Sequence, residues 1–443
     1  MSIILLEILR GIIKMNKYII TTIIFLTILI SLKFFEARFI GDLFGIKLPV
    51  IFITILVGIS LIYFFSCKGK FVLPVQLLTI SLLFSIVSAY IVWGQSIMDS
   101  LMRTMPLAVV PFFFLLSRFN VKINVLETVI LIFGYLYFTL NIFQLLNPST
   151  AYFGYALVSE TGGYVESRGV TRVIFPGAGI FWLACFISVN KVLKKNENKY
   201  LYLPLVILGL VVPVLQATRQ LIAFSVALYT FHFSVHLSLI KKVILSFLLI
   251  IVAVYIVSLD LLVFEGLHEK SVETSSEGIK YIRLITGEYY LTEFSDTMFT
   301  IFFGNGVPSG KSMYGAVTAK LIDKGIFLED VGIIGLYSQF GILSVIAWVL
   351  IWYKSFTVKL PKEYSYCKYY LWSILFTSLT SGSIYNIHFA ISTALVLFIF
   401  NQVELDKKNQ FKRVLKFLLK RKLEGELKRN KFLVSQSYII DPS

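Results

Sequence analysis

The 443-residue chain is 57% hydrophobic and 15% charged, with a net charge of +16 and a mean hydropathy of +0.82. So little charge cannot cover the surface of a water-soluble fold of this size, which excludes a soluble protein and requires a chain threaded repeatedly through a bilayer. Whether the basic excess means nucleic-acid binding depends on where the positive residues lie.

Apolar runs of roughly the 20 residues that cross a bilayer predict about twelve spans. In chain order they fall near 18–33, 48–66, 71–93, 101–117, 123–146, 173–190, 200–216, 219–237, 243–264, 331–353, 367–382 and 388–403. The pairs at 200–237 and 367–403 also fit single long or re-entrant elements. The expected fold is all-α: a polytopic transmembrane helical bundle with a long, partly helical extracytoplasmic loop before the last three spans. Residues 1–403 form the membrane domain, including the outer loop 265–330. Residues 404–443 form a basic cytoplasmic tail. The N-terminus lacks a small-residue cleavage site ahead of the first long apolar run, so no cleavable signal is expected.

With the N-terminus inside, 28 of the 41 Lys and Arg residues lie before the first span, in the inner loops or in the tail. Short inner loops such as "KVLKKNENK" (191–199) are where positive charge orients helices. The basic balance is therefore a topology signal that places both termini in the cytoplasm, and no nucleic-acid partner is implied. The tail puts Phe411, Val414, Leu415, Leu418 and Leu419 on one helical face opposite Lys and Arg. That pattern suits an amphipathic helix on an anionic inner leaflet, so membrane lipids are an expected partner.

Three cysteines suggest no disulfide or metal framework. The absence of CxxC, HExxH, Walker A and GxGxxG motifs argues against zinc chemistry, ATP hydrolysis and dinucleotide binding. No metal or cofactor is expected.

The polar features all map to the outer side. The first is the loop 147–172, which carries Glu166, Arg168 and Arg172. The second is Arg219, the sole charge between Lys199 and Lys241. Those 41 residues are too long for one span, so Arg219 falls at an outer turn between two helices, where its cost in hydrocarbon is avoided. The third is the segment 265–330, rich in Tyr, Glu and Gly, whose length is uncommon for a mere connector and points to function. Its tyrosines, including Tyr281 and Tyr289, are candidates for stacking on sugar rings. The glycines of "FFGNGVPSG" (302–310) mark tight turns and offer only a weak case for a phosphate cradle. Arginines snorkel to headgroups, but they also hold phosphate bidentately at any pH. A carboxylate at the membrane boundary can take a proton from a sugar hydroxyl. Arginines, carboxylates and aromatic rings beside a hydrophobic body suit a substrate with a phosphate, a sugar and an apolar tail.

The order "SRGVTRVIFPGAGIFWL" (167–183), "ATRQLIAF" (217–224), "YIRLITGEYYLTEFSDTMFTIFFGNG" (281–306) and "EDVGIIGLYSQFGILSVI" (329–346) resembles the O-antigen polymerase and ligase superfamily, the Wzy-type polysaccharide polymerases. The resemblance covers most of the chain. It implies transfer of a glycan from undecaprenyl diphosphate to an acceptor sugar hydroxyl, at the outer face of the bacterial cytoplasmic membrane. The partners implied are lipid-linked oligosaccharide donor and acceptor, a chain-length regulator and a flippase. By resemblance Arg219 and Arg283 contact the donor diphosphate, and Arg168 and Arg172 match arginines ahead of the next span. Ligase-type members carry a His eleven residues before a glycine like Gly341. Asp330 stands there instead, which favours the polymerase. Asp330 is the first candidate base and Glu329 the second, beside a mechanism in which arginines alone stabilise the leaving diphosphate. Ligase-type transfer to lipid or protein, and a flippase from the transporter class, are the alternatives. No internal repeat supports the transporter.

Overall fold

The computed structural model describes residues 17–41, 43–119, 121–154, 158, 162–167, 170–192, 194, 198–216, 218–235, 240, 282–379 and 381–437. Its helices are α1 (Lys17–Ser31), α2 (Leu48–Leu61), α3 (Val72–Trp93), α4 (Ile97–Thr104), α5 (Phe112–Phe119), α6 (Ile123–Leu146), α7 (Ala178–Lys191), α8 (Lys199–Leu215) and α9 (Arg219–Val235). They continue with α10 (Ile282–Thr292), α11 (Met298–Phe303), α12 (Met313–Asp323), α13 (Ile333–Thr357), α14 (Tyr366–Thr377) and α15 (Ile387–Ser437). Two two-residue strands, β1 (Glu166–Ser167) and β2 (Val170–Thr171), pair antiparallel in the loop after α6.

Among the described residues, five helices are long and apolar enough to cross a membrane: Leu43–Leu61, Val72–Trp93, Ile123–Leu146, Ile333–Thr357 and Ile387–Lys412. Shorter apolar helices run from Tyr18 to Ser31, Ala178 to Lys191, Lys199 to Leu215 and Gln220 to Ser234. The chain is a helical membrane protein. Ile51, Ile55 and Ile59 recur at four-residue spacing along α2 and are exposed, the pattern of a lipid-facing stripe. By contrast α7 is buried on every side from Gly179 to Asn190, as a helix must be when it is apolar all round and packed within a bundle. It lies against α6, α8, α14 and α15.

Most expected spans coincide with helices, with two differences. The span expected at 101–117 is broken into α4 and α5 by a stretch of turns from Met105 to Pro111. Pro106 and Pro111 each lack the amide that helix continuation needs. The second difference is the expected boundary at residue 403: α15 runs through it without interruption from Ile387 to Ser437. The expected span 243–264 lies outside the described residues.

Polar contacts collect at the two ends of the bundle. At one end Asn401 accepts from the Phe71 amide at 3.1 Å and donates to the Lys68 carbonyl at 3.0 Å, and Lys70 pairs with Glu404 at 3.3 Å. There too Glu127 of α6 is held by Lys191 of α7 at 2.5 Å and by the Tyr366 hydroxyl at 2.7 Å. At the other end, Lys33 to Glu36 form a turn with φ values of 48°, 54°, 61° and 52°. Left-handed backbone costs about 1–2 kcal/mol per non-glycine residue, so the surroundings must hold it. The Gly154 amide donates to the Glu36 carbonyl at 3.0 Å, the Arg38 amide to Tyr152 at 2.9 Å, and Arg38 Nε to Gly154 at 3.1 Å.

The pivotal feature lies in α13, which breaks at Gly341 (φ 73°, ψ 179°). A break strips the preceding carbonyls of their donors four residues on, and buried carbonyls require replacements. The chain after α11 supplies them: the Asn305 and Gly306 amides donate to Ser338 and Gln339 at 2.8 and 2.9 Å. Ser81 of α3 donates to the Phe340 carbonyl, and Ser88 to that of Gly304. The short helix α11 is thus wedged between α3 and α13. Gly304 (φ +76°) and Gly306 (φ +78°) need left-handed backbone, and a Cβ on Gly304 would strike the Gln339 and Phe340 backbone. The two amides that a phosphate cradle would present are therefore committed to α13. Gly304→Ala should destabilise the protein by several kcal/mol, whereas Gly310→Ala, with nothing within 4 Å of the added Cβ, should be near neutral. Apparent Tm values of the two purified variants check this.

Candidate functional site

At the end of the bundle bearing the left-handed turn, a cavity of about 590 Å³ opens between the helices, within the 300–1,000 Å³ range of small-molecule sites. Lys33 lines it from the turn after α1, and Val50 from α2. Asp99, Met102 and Arg103 come from α4. Val307, Ser309 and Lys311 come from the segment after α11, Glu329 from the short 3-10 turn Leu328–Val331, Gln339 from the break in α13, and Tyr385 and Asn386 from the turn before α15.

Two anchors set this arrangement. Gln95, fully buried, donates to Ser100 Oγ at 2.9 Å and to the Val307 carbonyl at 3.0 Å. Its Oε1 accepts from the Ser309 amide and the Ser312 hydroxyl, both at 2.8 Å. All four hydrogen-bonding positions of the amide are filled, fixing the wall that carries Lys311 against the start of α4. On the opposite side the Tyr385 hydroxyl donates to the Leu328 carbonyl at 2.8 Å, and the Ile333 amide to Ser378 at 2.9 Å. These bonds hold the Glu329 turn to the turn before α15.

Charge in the cavity is mixed. Lys33 pairs with Glu36 at 3.5 Å, and Asp99 accepts from the Ser96 hydroxyl at 2.7 Å. Arg103 and Lys311 have no hydrogen-bond or ion-pair partner among the described residues. Glu329 is open to the cavity, but the protein mass around the cavity still withdraws solvation from its carboxylate. That desolvation, with the Asp330 charge second, raises its pKa above the usual carboxylate range. Gln339 is buried and its Oε1 lacks a partner among the described residues.

The residues predicted from sequence fall into two groups. Asp330 and Glu329 are neighbours on the Leu328–Val331 turn, and Arg283 of α10 pairs with Asp330 at 3.5 Å. The first-choice base is thus engaged by a cation, while the second choice faces the cavity. Arg172 belongs to the other group: its Nε donates to the Gln216 carbonyl at 2.9 Å, in the turn immediately ahead of α9. Arg219 opens α9, but its side chain lies outside the described residues, as do the side chain of Glu166 in β1 and all of Arg168 and Tyr281. Tyr289 is half-buried against Tyr290 and Phe294, with ring centroids 5.5 and 6.0 Å apart. It borders a small aromatic cluster with Trp93 and Tyr314.

Sequence reasoning passed over Lys33, Arg103 and Lys311. Arg103 was detectable: a charge inside an expected span, three residues before a proline, marks a broken helix. Lys33 and Lys311 carry no such signal.

Asp330 is 44% exposed in its Arg283 pair, where ion pairs contribute less than about 1 kcal/mol. A double-mutant cycle of Arg283→Ala and Asp330→Ala should therefore give a stability coupling below about 1 kcal/mol, read from chemical unfolding in detergent. No family model, curated protein or solved structure matches the chain.

Proposed function

We propose that this protein is a polymerase of lipid-linked oligosaccharides in the bacterial cytoplasmic membrane. It joins undecaprenyl-diphosphate-linked repeat units into a surface polysaccharide at the outer face. The observation that carries this reading is a carboxylate of raised pKa, Glu329, facing a large cavity shared with Arg103, Lys33 and Lys311. Support also comes from the motif order from Arg168 to Gly341 that resembles Wzy-type polymerases.

In this reading α1 to α9 and α13 to α15, with α4 and α5 as one broken crossing and the expected helix at 243–264, make twelve spans. The end carrying Lys68, Lys70, Lys191, Lys194 and Lys362 is cytoplasmic by the positive-inside rule, so the cavity opens outward. Two substrates meet there. Glu329 takes the proton of the acceptor sugar hydroxyl as that oxygen attacks the donor's anomeric carbon. The bond from that carbon to the diphosphate breaks, and polyprenyl diphosphate leaves with the bonding pair. Arg172, Arg219, Arg168 and Arg283 stabilise its developing charge. Glu329 then releases its proton to water. The diphosphate is already an activated leaving group, so no nucleotide is consumed. Asp330 acts through Glu329 as a positioning residue.

Cells carrying Glu329→Gln should display acceptor capped by a single repeat, with the protein present at wild-type level, while Lys320→Gln on exposed α12 should leave chain length unchanged. Full-length polysaccharide in Glu329→Gln cells would remove the base from this scheme. Polymer retained on the lipid, with none transferred, would instead indicate a ligase. Because a base must be ionised, kcat/KM should rise with pH through a midpoint above the ordinary glutamate value of about 4.3. Asp330→Asn removes the neighbouring negative charge and should move that midpoint downward.

A further inference from the structure

We infer that Arg103 and Lys311 hold the phosphate or diphosphate headgroup of a membrane lipid in the cavity, with the first carbons of its chain entering a crevice beneath. The identity of the lipid rests on the polymerase reading, whereas the anion chemistry does not.

Three observations lead to this site. Arg103 and Lys311 face the cavity from elements that Gln95 ties together, and neither has a partner among the described residues. Among the described residues neither acidic side chain of the cavity forms an ion pair with them: Asp99 accepts from Ser96, and Glu329 stands on the turn held by Tyr385. A planar guanidinium beside an ammonium is the side-chain set that a phosphate requires.

Secondly, an apolar crevice adjoins the cavity, the two sharing Leu107, Tyr385 and Asn386 in their walls. The crevice follows Leu336, Phe340, Ser344 and Trp348 along α13. Its free volume of about 40 Å³ admits about three water-sized groups, enough for the start of a hydrocarbon chain. A free phosphate or a nucleotide would leave it without an occupant.

Thirdly, Gln339, 7% exposed, lines the cavity with its Oε1 unpartnered among the described residues. A buried acceptor without a donor is costly, and a sugar hydroxyl attached to the headgroup supplies one. Cations, an apolar crevice and an unpaired acceptor together describe a glycosylated lipid phosphate.

The test uses the full-length chain in zwitterionic lipid nanodiscs, with undecaprenyl diphosphate and inorganic pyrophosphate as probes. Wild type should bind the lipid at least about tenfold more tightly than pyrophosphate. The double variant Arg103→Gln/Lys311→Gln should lose about tenfold or more in lipid affinity. Arg103→Lys, which keeps the charge, should lose less, and a monodisperse Arg103→Lys preparation controls for folding. Unchanged lipid affinity in the double variant would overturn the inference, and so would equal binding of pyrophosphate. If Glu329→Gln abolishes polymerisation while the double variant binds as wild type does, this seat is wrong and the polymerase reading stands. If the double variant loses binding while Glu329→Gln polymerises normally, the seat stands and the polymerase scheme fails.

Discussion

The break in α13 at Gly341 is the constraint on which the rest of this end of the bundle depends. A straight helix there would use the carbonyls of Ser338, Gln339 and Phe340 internally. The left-handed glycine releases them, and the Asn305 and Gly306 amides and the Ser81 hydroxyl replace the lost donors. That exchange anchors α11 inside the bundle. The segment leaving it, Val307 to Ser312, is then captured by Gln95 at the start of α4. One wall of the cavity thus follows from a single residue with φ of +73°.

The opposite walls come from two further irregularities. The prolines after α4 end that helix early, so Arg103 sits where a broken span meets the cavity. The left-handed turn at Lys33–Glu36 places Lys33 on the rim, and its backbone strain is offset by hydrogen bonds from the 152–154 segment. Irregular backbone at membrane depth is tolerated where it is buried in protein or lines a cavity. Here three such irregularities converge on one space. It contains a carboxylate, open to the cavity, whose charge is disfavoured by desolvation, and two cations without partners among the described residues, a combination suited to moving a proton beside an anion.

Much of the fold was legible in the sequence, because a helix that crosses a membrane must be a long apolar run. The span expected at 123–146 coincides with α6, and Arg219 heads a helix where its isolation in an otherwise uncharged run of 41 residues places it. The glycines of "FFGNGVPSG" were readable as turns, yet their role was not: only tertiary pairing with α13 shows that the amides serve a broken helix rather than a phosphate. The order of preference between Asp330 and Glu329 was equally hidden, since it turns on which side chain meets Arg283 and which meets the cavity. Lys33, Arg103 and Lys311 lie far apart in sequence, and no pattern in a single chain announces that the three segments carrying them converge.

The most direct test is reconstitution of the purified full-length chain, alone, with a single-repeat oligosaccharide on undecaprenyl diphosphate and without any nucleotide. The account predicts a ladder of products on the lipid, extending by whole repeat units, together with stoichiometric release of undecaprenyl diphosphate. Folded protein that leaves the single-repeat lipid unchanged would contradict it.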